Sequence, residues 1–587
     1  MEVAAASAAR TPVGSAPARP LTPVGEPGEW TMAPKDHANT RFSALAQITP
    51  QNVGRLRLVG SVSTGHNVGH EGAPLVVGGT LYYVTPFPHT AVALDLTQPG
   101  TPSKWSYKPP QDRAAKGVAC CDLVNRGPAY AGGRLYFVTL DNQAVALDAA
   151  TGREVWRVKL GDIDRGESMT MAPLVVKDKL LVGNAGGEFG VRGWLKALHL
   201  ASGATAWTAY ATGPDAEVLI GPGFRPFYAK DRGVDLGVKT WPADKWKTGG
   251  ATSWGWISYD PELDLIYYGT GNAGPWNPDL RPGDNKWAAT LFARDPDDGQ
   301  ARWAYQLMPH NEHDYDAINE SILFDIPVQG RLRRVLFRVE RNGYLYLMDR
   351  ATGEVLAADS FVYSTAIRGV DLETGEPIKV PGKAVQMGKV VRELCPAAPG
   401  SKNFSPASFS PQTGLVYAPF NNLCMDIKGV EANYISGTPY LGTEHTFYAG
   451  PGGYRGGVFA WDPVRRRKAW QAEESFPVWS GTMATAGGVV FYGTMDRWFK
   501  ALDARTGELL WRFRTGSGII GQPISYLGPD GKQYVAIFDG VGGWAGAIVS
   551  GRLDPRDPLA SDGFAGAMQD LPAHTDRGGM LYLFALP

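Results

Sequence analysis

Ala146-Leu-Asp-Ala-Ala-Thr-Gly-Arg-Glu-Val-Trp156 and Ala501-Leu-Asp-Ala-Arg-Thr-Gly-Glu-Leu-Leu-Trp511 are near copies of one another, far apart in one chain. Weaker copies run from Ala93 to Trp105, Ala197 to Trp207, Ala293 to Trp303, Leu347 to Leu356 and Ala460 to Trp470. Apolar strand-like runs precede them, such as Leu135 to Leu140, Leu265 to Tyr268 and Val489 to Tyr492. The tryptophans at 105, 156 and 207 are spaced 51 residues apart. A unit of about 40 to 50 residues suits a four-stranded propeller blade, which cannot bury its faces alone and packs between neighbours. Seven copies are visible, and an eighth is expected from the segment after Trp30 joined to the strand near Leu581 to Ala585. The expected fold is all-β: an eight-bladed β-propeller with tryptophan-docking repeats, spanning 29–587 as a single catalytic domain behind a flexible leader at 1–28. The repeated tryptophans are expected to wedge between blades and do no chemistry. Residues 208–290 depart from the period, are rich in Gly and Trp, and read as a functional insertion.

Composition agrees. At 587 residues the chain exceeds what one hydrophobic core supports, so it splits or repeats. Its 73 Gly, 44 Pro and 18 Trp against 20% charged residues fit many short strands and tight turns. Lys plus Arg (57) nearly cancels Asp plus Glu (58), which removes any broad electrostatic drive toward nucleic acid or an anionic membrane. No apolar run reaches the roughly 18 residues of a membrane span. The Ala-, Pro- and Gly-rich first 28 residues lack an apolar block and read as a mature N-terminus without its signal peptide. Of the four cysteines, Cys120 and Cys121 are adjacent; they are either two buried thiols or a strained disulfide ring. An even count without CxxC favours disulfides over zinc and so an oxidising compartment such as the periplasm. The lack of CxxCH leaves no site for a covalent c-type haem.

The richest segment runs from Trp254-Gly-Trp256 through Gly271-Asn-Ala-Gly-Pro-Trp276 to Pro309-His-Asn-Glu-His-Asp-Tyr-Asp316. In the same order as in a known family come the adjacent cysteines, Glu-Phe-Gly-Val-Arg-Gly at 188–193, Gly-Thr-Gly-Asn at 269–272, Arg-Pro-Gly-Asp-Asn-Lys-Trp at 281–287, Arg341-Asn-Gly343 and Gly-Val-Gly-Gly-Trp-Ala-Gly at 540–546. From Trp30 to Phe584 the chain resembles the pyrroloquinoline quinone (PQQ) alcohol dehydrogenases, methanol dehydrogenases in particular. The resemblance implies a cofactor sandwiched between a Cys120–Cys121 disulfide and Trp254, and a second disulfide between Cys395 and Cys424. A flat tricyclic quinone needs two apolar, polarizable walls. Implied cofactor contacts are Glu71, Arg126, Thr170, Gly186, Gly187, Thr252, Arg341, Asn403 and Trp479, the arginines suiting the quinone's anionic and carbonyl oxygens.

By the same resemblance Glu188, Asn272 and Asp314 are metal ligands, hard oxygen donors that suit Ca²⁺ or a trivalent lanthanide. Calcium enzymes of the methanol type carry Ala two residues after the catalytic Asp, and lanthanide enzymes a second Asp; here it is Asp316. Three carboxylates balance a trivalent ion and overcompensate a divalent one. Ala185 and Gly187 also resemble the smaller-sided lanthanide pocket. His313 departs from the family's bulky hydrophobe, which opens the alcohol pocket to a different substrate. Asp314 is expected to take the hydroxyl proton as hydride passes to the quinone, with Arg341 beside it and Trp276, Trp544 and the 425–455 insertion excluding water. With no haem in the chain, a soluble periplasmic cytochrome c is the implied electron acceptor, and monomer and homodimer are both open. Two rivals remain in view: a calcium enzyme for bulkier or secondary alcohols, and a non-catalytic propeller scaffold, which has no reason to combine these carboxylates with Arg341 and vicinal cysteines. A zinc site at His310 and His313 lacks ligand spacing elsewhere among the histidines.

Overall fold

In the computed structural model, residues 19–21, 26–119, 121–328 and 330–587 are described. Among them, eight sheets of four or five strands follow one another along the chain, at 75–107, 129–159, 174–210, 257–306, 322–360, 408–474, 483–514 and across the two chain ends. In each, four strands pair antiparallel, with Phe42–Ser43 added in parallel to the edge of the 483–514 sheet, and successive sheets bury apolar side chains against each other. One cluster joins Val182 and Leu198 to Tyr136 and Val138 of the preceding sheet; another joins Phe324 and Leu347 to Phe409 and Val416 of the following one. The molecule is an all-β propeller. The last sheet is assembled from both ends: Met580–Ala585 lies between Gln533–Phe538 and Arg57–Ser63, with Leu58 opposite Phe584 and Val62 opposite Leu581.

The repeat has a physical reason. In each full copy the Ala stands directly across from the Trp of the neighbouring strand, as in Ala146↔Trp156, Ala293↔Trp303 and Ala501↔Trp511, and a bulge follows at once. The indole then reaches into the next sheet. Trp105 donates to the Ala149 carbonyl (3.0 Å), Trp156 to Leu200 (2.9 Å), Trp207 to Pro296 (3.0 Å), Trp303 to Arg350 (3.2 Å) and Trp470 to Ala504 (3.1 Å). Each ring lies on the glycine of that sheet's turn: a Cβ on Gly152, Gly353 or Gly507 would sit 2.6 Å from Trp105, Trp303 or Trp470. The copy at Leu347–Leu356 has no Trp to offer, and Gly414 in the following sheet has nothing near its Cβ position.

Two expectations change. Within the stretch read as a leader, Arg19–Pro20 pairs with Ile322–Val328 and Leu21 is buried in the core, because the sheet at 322–360 presents an open edge there. Residues 1–18 and 22–25 lie outside the described residues. Within 208–290, Ile257–Asp260 and Leu265–Gly269 are ordinary strands of the next sheet, so the insertion is confined to the segments around them. Two smaller sheets decorate the propeller. One pairs Ile367–Val370 with Pro377–Lys379; the other joins Val390–Leu394, Leu423–Gly429 and Thr443–Ala449 and is tied by the Cys395–Cys424 disulfide. Among the described residues no helix is long and apolar enough to cross a membrane.

Candidate active site

In a four-stranded meander, the segment entering the first strand and the turn between the second and third strands lie at the same end of the sheet. The expected site residues occupy these two places. Glu71, Arg126, Thr170, Trp254, Asn403 and Trp479 each stand a few residues before the first strand of a different sheet, those beginning at Leu75, Ala129, Leu174, Ile257, Ser408 and Met483. Asp314 and Asp316 precede Ile322–Val328 in the same way. Glu188, Asn272 and Arg341 stand in turns between second and third strands. Seven sheets thus aim side chains at one place, and a cavity forms there.

Glu71, Arg126, Thr170, Gly186 and Trp254 line this cavity, with Cys121, Asn403 and Trp479. Cys121 is disulfide-bonded; Cys120, its expected partner, lies outside the described residues. Arg126 pairs with Glu71 (3.0 Å), donates to the Thr170 hydroxyl (2.7 Å), and has its guanidinium over the rings of Phe404 (4.3 Å) and Trp254 (4.9 Å). Burial pushes the Glu71 carboxyl up to about 7 against the pull of Arg126.

Glu188, Asp314 and Arg341 line the same cavity. Arg341 bridges the two aspartates, Nη1 to Asp314 Oδ2 at 3.1 Å and Nη2 to Asp316 Oδ2 at 3.0 Å. Asp316 accepts from the Asn272 backbone N–H. One cation among three carboxylates leaves them undercompensated. Burial and then the Asp316 charge push Glu188 up to about 7, and burial followed by Asp316 holds Asp314 well above the carboxylate range. Asp316 is raised by burial. Among the described residues no three His, Cys, Asp or Glu side chains already enclose an ion. Asp314 is held at φ +61°, a left-handed conformation that costs a non-glycine residue about 1–2 kcal/mol. Its loop is clamped from behind: Arg281 donates to the carbonyls of Trp276 and Asn311, and Lys379 pairs with Glu312 (2.6 Å).

The family profile described as "PQQ: Glucose/ethanol/alcohol dehydrogenase, beta-propeller domain" matches residues 30–358 and 456–535. The chain belongs to the PQQ alcohol dehydrogenase family. It is 51% identical over 567 residues to a lanthanide-dependent methanol dehydrogenase of Methylacidiphilum fumariolicum (strain SolV), covering 96% of this chain and 93% of that one. It is 43% identical over 574 residues to methanol dehydrogenase (cytochrome c) subunit 1 of Methylorubrum extorquens, covering 95% and 91%. Among solved structures, a europium-containing methanol dehydrogenase superposes with a TM-score of 0.94 at 51% identity, over 96% of this chain and 98% of that one. The protein is an oxidoreductase acting on CH–OH groups.

The cavity fits the PQQ of this family on its own chemistry. Arg126 Nε and Arg341 Nε are buried donors with no hydrogen-bond partner, and Asp314 Oδ1 is a buried acceptor with none. Orphaned polar atoms of this kind are costly in a native interior, and three of them border one cavity walled by Trp254 and Phe404. A planar quinone bearing carboxylates satisfies the donors and stacks on the rings. The acidic donor set of Glu188, Asp314 and Asp316 with Asn272 suits a hard multivalent cation.

Four expected residues do not line the cavity. Gly187, Thr252, Asn272 and Asp316 are buried beside it; the Thr252 carbonyl accepts from Gly271 N–H, and Asn272 spends its side-chain N–H₂ on the Ala273 carbonyl. His313 is also absent from the wall: its Nε2 meets the Lys383 carbonyl (3.2 Å) and its ring tilts against Tyr315. His313 thus packs within the loop behind the cavity and does not face it. Phe404, Ser168 and Asp122 line the cavity without having been singled out. For Phe404 the signal was its place beside Asn403, ahead of a first strand. The expected solvent barrier is an aromatic chain, with Trp276 stacked on His445 (5.1 Å), and Trp544 against Phe447 (5.7 Å) and Phe564 (5.2 Å).

Proposed function

We propose that this chain is a periplasmic, lanthanide-dependent dehydrogenase of the methanol type, oxidising a small primary alcohol to the aldehyde and passing electrons to a soluble cytochrome c. Its eight large sheets are read as eight blades, and 29–587 as one catalytic unit. The observation that carries the metal assignment is the convergence of three buried carboxylates, Glu188, Asp314 and Asp316, on one place: their three negative charges match a trivalent ion, and Arg341, which bridges the two aspartates, offsets only one of them. The names of the similar proteins, lanthanide-dependent and europium-containing methanol dehydrogenases, support the same reading.

When bound, PQQ supplies a quinone carbonyl that accepts hydride, and the metal supplies Lewis acidity. The protein's part is positioning and proton transfer. Asp314 offers Oδ1, its unpartnered oxygen, to the alcohol hydroxyl, while Oδ2 stays on Arg341. The proton it takes leaves the hydroxyl oxygen as hydride leaves the adjoining carbinol carbon, which turns the alcohol into the carbonyl product. Arg341 opposes the upward push that burial and Asp316 exert on Asp314, and offers its free Nε to developing negative charge. Trp544, which lines the cavity and is backed by Trp276 and Phe564, favours a small substrate and excludes water.

Metal-free protein given PQQ, with La³⁺ or Ca²⁺ added separately, tests this in a dye-linked alcohol assay. La³⁺-dependent activity that falls by about 10²-fold or more in Asp316→Ala is expected. Equal activity with Ca²⁺, untouched by the substitution, removes the role given to Asp316.

A further inference from the structure

Beside the cavity lies a group of fully buried charges that the proton transfer above does not use. Lys402 pairs with Glu320 (2.8 Å) and donates to the Asn403 carbonyl (3.2 Å), while the other Glu320 oxygen accepts from Ala407 N–H (2.8 Å). Arg338 pairs with Glu340 and donates to the Ser321 hydroxyl (2.9 Å) and the Ala317 carbonyl. Ser401 donates its N–H to the Arg341 carbonyl (2.9 Å) and its hydroxyl to the Glu340 carbonyl (2.9 Å). Arg41 donates to Gln522 (3.0 Å), which donates to the Glu71 carbonyl (3.1 Å). These contacts end on the main chain of Glu71, Arg341 and Asn403 and on Ala317, next to Asp316. They fix backbone and leave the site's side chains to the ligand.

Stability alone does not account for such a group, since a buried ion pair is often no more stable than apolar side chains of the same volume. Segment 401–403 holds Arg341 through Ser401 and carries Asn403 to the cavity wall, and Lys402 is its anchor. We propose that Lys402, through its pair with Glu320, is a positioning residue for the cofactor, setting Asn403 and Arg341 where PQQ is bound. This rests on the cavity being the PQQ site.

The test uses full-length apoprotein of wild type, Lys402→Met, Lys402→Arg and the double variant Glu320→Leu/Lys402→Met. Each is melted, titrated with PQQ by quenching of tryptophan fluorescence, and its bound quinone absorption recorded. Lys402→Met leaves Glu320 buried without its partner and melts lower; the double variant, with no charge left over, recovers the melting temperature. If the pair positions the cofactor, both still bind PQQ about tenfold more weakly, the equivalent of one misplaced charge-assisted hydrogen bond, and with a shifted absorption band. Lys402→Arg, which keeps the charge and the donors, stays close to wild type. A double variant with wild-type affinity and spectrum makes the pair merely structural and overturns the proposal alone. Absence of quenching in wild-type protein overturns the reading of the cavity, and this inference with it.

Discussion

Gly507 and Gly414 sit at left-handed turns, φ +75° and +70°, and differ in what lies above them. A methyl group on Gly507 would meet Trp470 at 2.6 Å, whereas Gly414 has nothing within 4 Å. Gly414→Ala therefore costs only the backbone conformation, about 1–2 kcal/mol. Gly507→Ala adds overpacking against an indole and costs about 2–4 kcal/mol. Chemical denaturation of the two variants checks this; equal losses would remove the docking role of Trp470. The Thr-Gly and Trp of the repeat were legible in the sequence as partners, but not that the Trp of one copy covers the Gly of the next. That follows from sheet packing, which spacing along the chain does not encode. The same limit applies at the site. Asp314, Glu188 and Arg341 are single polar residues without local periodicity, and only the ordered motifs of a known family marked them. Asp122 and Ser168, which line the same cavity, carry no motif of their own and went unmarked.

At the scale of an element, the small sheet of Val390–Leu394, Leu423–Gly429 and Thr443–Ala449 interrupts a propeller sheet to cover the cavity's aromatic wall. Its 425–455 portion was legible as an insertion because it breaks the repeat period; its pairing with Val390–Leu394 was not, since those strands are distant in sequence. His445 holds it down, its ring between Trp276 and Phe447 and its Nε2 on the Asp562 carbonyl (3.0 Å). Burial lowers this imidazole to about 4, against 6.5 in an unfolded chain. The folded state thus disfavours the proton. The contribution of His445 is complete above pH 6.5 and is lost as pH falls from there toward 4, at about 1.4 kcal/mol per pH unit. Denaturation of wild type and His445→Asn at several pH values isolates this group, because other titrating residues cancel in the difference. The stability gap between them is expected to narrow by about 2 kcal/mol between pH 7.5 and 5. A gap that stays constant over that range places the proton elsewhere.

The whole molecule depends on closing a ring. The repeat made the propeller legible from the sequence, because every unit is one sheet that needs two neighbours. The joining of the ends was legible too, since Leu581 to Ala585 forms an apolar strand with no copy of the repeat following it. Less legible was which strand completes that sheet: Arg57–Ser63 has three exposed residues at its start and no fully buried one. The order of strands gives the closure a measurable consequence. Met580–Ala585 is central in its sheet, paired on one side to Arg57–Ser63 and on the other to Gln533–Phe538. Deleting 580–587 leaves both partners with unpaired backbone and exposes the cluster around Phe499 and Phe538. None of the cavity-lining residues lies in the deleted segment. A local role for these residues predicts unaltered PQQ binding with a slightly lower melting temperature. Closure predicts that the truncated chain loses its cooperative melt and its PQQ binding together, because seven sheets present site residues in register only while the ring holds them. Calorimetry and fluorescence titration of the truncated chain decide between the two.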